Sequence, residues 1–132
     1  MKKILGLFFL IFGNLSLGMA SEMVEIKVDE VLREGAWTKA ISLQDRVIER
    51  IEVRWRLDQR DATAKAMLLL DGREYDAFRD VKGRDWGWQT EDWNYIPESQ
   101  HPKDLMFFLG DDFDHTTDLR LRIDTVRIFY KD

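Results

Sequence analysis

The sequence holds no cysteine, two prolines and two histidines in 132 residues. Without cysteine there is no disulfide, no thiolate metal site and no cysteine nucleophile. His101 and His115 both fall in expected loops. A Ser–His–Asp arrangement needs its serine on a defined turn such as G-x-S-x-G, and that turn is missing. After residue 20 the serines are Ser21, Ser42 and Ser99, none in such a setting. Phosphate-cradling, dinucleotide-binding and HExxH motifs are absent too. Paired carboxylates remain as a catalytic option, but among 25 acidic residues some pair meets any given separation by chance. These absences point away from an enzyme.

Long apolar runs are equally scarce, and the single example lies at the N-terminus. "MKK" is a short basic region, "ILGLFFLIFGNLSLG" an apolar one, and Gly18 and Ala20 stand three and one residues before Ser21. The run is interrupted by Gly13, Asn14 and Ser16 and is shorter than the roughly 20 apolar residues that span a bilayer. The pattern is that of a cleaved signal peptide over residues 1–20, leaving one domain over 21–132. The expected location is outside the cytoplasm, periplasmic or extracellular, with no membrane attachment after cleavage. Removing Lys2 and Lys3 leaves 18 basic and 25 acidic residues, a net charge of −7. That balance excludes a nucleic-acid partner, whose phosphates need a basic surface.

What is present is two-residue alternation along almost the whole chain. "MVEIKVDEV" sets Val24, Ile26 and Val28 against Glu25, Lys27 and Asp29, and "WTKAISL" (37–43) reads as a second strand. In "RVIERIEVRWRL" Ile51, Val53, Trp55 and Leu57 share one face, with Arg50, Arg54, Arg56 and Ile48 on the other. Glu49 is an outlier on the apolar face. "ATAKAMLLL" (62–70) is a strand ending in the tight-turn dipeptide Asp71–Gly72, which leads into "REYDAFRDV". The last segment changes phase: Leu119, Leu121 and Ile123 are odd, whereas Val126, Ile128 and Tyr130 are even. A strand keeping one face buried through such a change needs an extra residue, so a β-bulge is expected at Asp124–Thr125. Short strands with turns between them predict an all-β fold: a single antiparallel β-sandwich, jelly-roll-like, of about eight strands.

The functional lead is "RDWGWQTEDWNYIP". Trp86, Trp88, Trp93 and Tyr95 stand among Gln89 and Asn94, a mixture suited to stacking on a sugar ring while polar groups take its hydroxyls. "TED" reads as a turn that brings the two aromatic pairs onto one face. That face is either core or a ligand platform, since Trp is a major source of core energy. Trp55 is expected in the core, and Trp37 as an edge plug. In "GDDFDHTTD", Asp112, Asp114, Thr116 and Asp118 alternate as oxygen donors, but Thr117 and Ile123 occupy the places of the glycine and glutamate of an EF-hand. No cofactor is assigned; structural calcium stands as an alternative to a solvated loop. The arginine stripes are expected to pair with neighbouring acids.

The ending "LRLRIDTVRIFYKD" resembles the closing strand of jelly-roll carbohydrate-binding modules of the galactose-binding-like type, through Ile123, Asp124, Val126, Arg127 and Tyr130. The stretch from "WTKAISL" to "MLLLDG" is similar in rhythm to small secreted bacterial β-domains of no assigned activity. The first resemblance implies a non-catalytic binding module for a glycan or cell-envelope ligand. The alternative is a structural or protein-interaction domain of the envelope, its rings buried and an edge strand meeting a partner protein.

Overall fold

A computed structural model of the chain describes residues 22–76, 78–83, 87–97, 101–110 and 119–131. The segment read as a leader and the loop carrying Asp112, Asp114, Thr116 and Asp118 lie outside them. Among the described residues there are nine strands: β1 (Glu22–Arg33), β2 (Ile41–Ser42), β3 (Ile48–Leu57), β4 (Thr63–Leu70), β5 (Arg73–Glu74), β6 (Arg79–Lys82), β7 (Gln89–Asn94), β8 (Asp104–Leu109) and β9 (Arg120–Tyr130). One sheet runs β1-β9-β3-β7. The other runs β2-β8-β4-β5, with β6 also pairing β4, and every pairing is antiparallel. The fold is the expected antiparallel β-sandwich.

Alternation fills the interior as the sequence implies. Ile51, Val53, Trp55 and Leu57 of β3 face Ala64, Ala66 and Leu68 of β4 and Leu105, Phe107 and Leu109 of β8 in one core. The bulge in β9 lies where the phase change requires it. Arg54 pairs with Thr125 but Trp55 with Ile123, so Asp124 is the extra residue. Leu121 and Ile123 before it, and Val126 and Ile128 after it, are therefore all buried. The neighbouring β1 slips between Lys27 and Glu30, where Asp29 takes φ +53°. Asp71 and Gly72 both have positive φ, as a type I′ hairpin turn demands, and join β4 to β5.

Three local expectations are corrected. "WTKAISL" is not a full strand: Ile41–Ser42 pairs with β8, and Trp37 makes an isolated bridge to Phe108. The segment after the hairpin is split into β5 and β6, which pair successively with β4. Ile48 is core rather than outward, because the register slips between Ile48 and Arg50. That second bulge explains the outlier: Glu49 is the extra residue, exposed, and its insertion turns Ile48 inward.

Candidate functional site

β7 separates the aromatics of the functional lead. "TED" is not a turn; Thr90, Glu91 and Asp92 lie within β7, paired with Arg54, Val53 and Glu52 of β3. Trp93 therefore points inward and is 0 % exposed. Its ring meets Trp55 edge-on at 5.9 Å and Phe107 of the opposite sheet at 5.9 Å. Arg79 of β6 lies 5.0 Å from the same ring and donates to Glu91 and to the Asp92 carbonyl, lacing one sheet to the other. Trp93 is thus core and unavailable to a ligand, a correction to the platform reading. Gln89 is half-buried and donates its amide to the Lys82 carbonyl at 2.9 Å. Trp86 lies outside the described residues.

Trp88, Tyr95 and Asn94 are exposed. Trp88 is 41 % accessible and Tyr95 91 %. They stand at opposite ends of β7, on the order of 20 Å apart for seven extended residues, so they do not form one platform. Tyr95 adopts φ +62°, unusual for an aromatic residue. The Tyr75 hydroxyl donates to the Tyr95 carbonyl at 3.1 Å, and burial of Tyr75, then nearby Asp76, pushes its phenol pKa up. Tyr95 and Asn94 border a shallow hollow of about 360 Å³ with Glu49 and Lys131.

Trp88 belongs to a different surface, the outward face of the four-stranded sheet. Register places the side chains there in rows across the strands. One row runs Glu25–Arg127–Glu52–Asp92 and the next Lys27–Thr125–Arg54–Thr90. Arg127 bonds Glu25 at 2.9 Å and reaches Glu52 at 3.6 Å; Arg50 bonds Glu52 at 2.9 Å. The Asp124 carboxylate, turned outward by the bulge, accepts from Lys27 at 2.5 Å, Arg54 at 3.3 Å and the Thr125 hydroxyl at 2.8 Å. The Lys27 hydrogen bond holds the Asp124 carboxyl below the usual carboxylate range, and the same bond raises the Lys27 ammonium pKa. Among these groups is an open hollow of about 300 Å³. Trp88 stands beside it, with the guanidinium groups of Arg54 and Arg56 4.9 and 5.1 Å from its ring. These contacts hold the indole in place while leaving much of it accessible.

The arginines pair with acids, as expected. Sequence reasoning missed that one of them, Arg54, also joins Trp88 to the hollow. The signal was available in its parity: Arg54 and Arg56 lie on the outward face of β3, and Trp88 shares the parity of outward Thr90.

No family model matches the chain, and no curated protein matches it in sequence. Solved structures do share its architecture. The carbohydrate-binding module CBM36 in complex with calcium and xylotriose superposes with TM-score 0.59 at 16% identity, over 82% of this chain and 92% of that one. The fold is a jelly-roll β-sandwich, shared with carbohydrate-binding modules. The CBM36-1 domain of a multidomain xylanase from the hindgut metagenome of Trinervitermes trinervoides gives 0.56 at 9%, covering 81% of this chain and 96% of that one. The insecticidal delta-endotoxin Cry8Ea1 from Bacillus thuringiensis gives 0.57 at 8% over 79% of this chain, which spans 20% of the toxin's length. Among the described residues, the outward face of the four-stranded sheet carries Trp88, tethered by two arginines and partly accessible.

Proposed function

We propose that the chain is an exported, non-catalytic glycan-binding module whose ligand lies on the outward face of the β1-β9-β3-β7 sheet. The observation that carries this is Trp88. It is a large ring, 41 % accessible on a sheet face and held by two arginines beside a polar hollow. Exposed aromatic surface of this kind is uncommon on a soluble domain and marks recognition sites. A pyranose would stack its C–H face on the indole, with Thr90 and Arg54 placed for its hydroxyls. The fold neighbour bound to xylotriose supports this ligand class. The charged groups around the hollow are tied to one another in ion pairs, which favours binding over turnover. The leader-like composition of residues 1–20 supports placement in the periplasm or outside the cell.

The test is retention on a panel of immobilised glycans. Wild-type protein is expected to bind at least one, and Trp88→Ala to weaken that binding about tenfold or more, with the thermal midpoint little changed. Unchanged binding in Trp88→Ala would sink this site, and hydrolysis of a retained glycan would overturn the non-catalytic reading.

A further inference from the structure

We infer that β1 is a dimerisation edge, where two copies of the chain pair antiparallel about a two-fold axis through Ile26. The inference does not rest on the glycan reading.

Among the described residues β1 has one neighbouring strand, β9, although it is 12 residues long. A long edge strand presents a row of backbone donors and acceptors to any strand that fits. Its inward side chains are incompletely covered. Val24, Ile26 and Val28 are half-buried, whereas Val126 and Ile128 beside them on β9 are fully buried. A strand added at this edge would complete that cover.

The side-chain pattern selects a second copy as the occupant. About a two-fold through Ile26, Glu25 faces the partner's Lys27, and Lys27 faces the partner's Glu25. Val24 faces the partner's Val28 on the inward side. A register centred on Glu25 or on Lys27 would instead set like charges directly opposite, which is unfavourable. The new pairs also extend existing ones. Arg127 is bonded to Glu25 and Lys27 to Asp124, so the row Arg127, Glu25, partner's Lys27, partner's Asp124 alternates in sign across the joint. Asp29, with φ +53°, takes the chain out of the ladder and limits pairing to about the five residues 24–28. Such a joint is small, so the dimer is of the weak, concentration-dependent kind. It would form one continuous eight-stranded sheet with a Trp88 at each far edge. Seven strand spacings of about 4.8 Å across the sheet, with an offset of about 20 Å along the strands because Trp88 lies three residues from the Ile26 row, set these two rings roughly 40 Å apart.

Sedimentation velocity over a concentration series tests the inference. Wild-type protein is expected to pass from monomer to dimer, and Glu25→Lys and Lys27→Glu each to weaken dimerisation about tenfold or more. An equimolar mixture of these two variants is expected to associate, because each then supplies the charges the other needs. The double variant E25K/K27E restores opposite charges across the joint but loses the bonds to Arg127 and Asp124, so it is expected to dimerise more strongly than either single variant and less strongly than wild type. Hydrogen exchange gives an independent readout: protection that grows with concentration should be confined to residues 24–28. A strictly monomeric wild type, or a dimer indifferent to both substitutions, overturns the inference. So does a monomer whose residues 24–28 are already protected, which would assign the edge to another segment of the same chain.

Discussion

Lys27 of β1 donates to the carboxylate of Asp124 in β9 at 2.5 Å, at the point where the register of the two strands slips. The Asp124 carboxyl is held below its ordinary range, chiefly by that bond. Its stabilising contribution is therefore present above the unfolded-state value and lost as pH falls through the lower, folded value. Lys27 is raised, so its share persists below its unfolded value and disappears as pH rises through the folded one. Asp124→Asn is expected to lower stability near neutral pH, with the deficit constant down to the unfolded-state carboxylate value of about 4 and shrinking as pH falls below it. Urea unfolding at a series of pH values measures this. A deficit independent of pH would show that the bulge, not the charge, sets the effect.

Trp93 and Trp88 should separate cleanly in stability. Trp93→Ala empties a site between the two sheets and should cost about 3–5 kcal/mol. Trp88→Ala removes contacts with exposed Arg54 and half-buried Arg56 and should cost less than about 1 kcal/mol. Denaturant titrations of both variants decide it, and equal losses would contradict the burial of one and the exposure of the other.

Tyr95 carries a left-handed backbone with its ring in solvent. Tyr95→Gly relieves the steric cost of that conformation at little loss of packing. The expected result is a gain of about 0.5–1 kcal/mol in unfolding free energy, net of the extra freedom glycine adds to the unfolded chain. A loss of stability would mean that the phenol makes contacts important to the fold.

Gly83 is required by space. A Cβ there would lie 1.6 Å from the Gln59 carbonyl oxygen, and its own N–H donates to the Ala62 carbonyl at 2.9 Å. Because the clash is with backbone, Gly83→Ala must shift the 59–62 turn or β6, at a cost above about 2 kcal/mol. A thermal melt close to wild type would disprove the close approach.

The sandwich was legible because its strands alternate strictly, and even the β9 bulge could be read from a change of parity. The Glu49 bulge was not, since one misplaced charge near a strand end resembles fraying. The site was legible only in part. Parity sets Trp93 and Tyr95 opposite Trp88, but "TED" has the composition of a turn although all three of its residues pair with β3. A polar run on an edge strand looks like a loop in sequence, because one side of the strand faces water and no apolar partner marks it. Separating core from platform required the neighbour. Phe107 on β8 and Arg79 on β6 enclose Trp93, and neither is near it in sequence.

Asp124 also determines which kinds of change β9 can absorb. The strand is paired on both sides, to β1 and β3, and its two halves are in step with the core only because one residue is held out between them. A substitution at 124 removes an ion pair and leaves that spacing alone. Deleting the residue would instead rotate one half of the strand by a full side-chain position, driving Val126, Ile128 and Tyr130 toward water while burying Arg127. At this point β9 stores its instructions in length rather than in residue identity, so a library of variants should accept many residues at 124 and reject the loss of one.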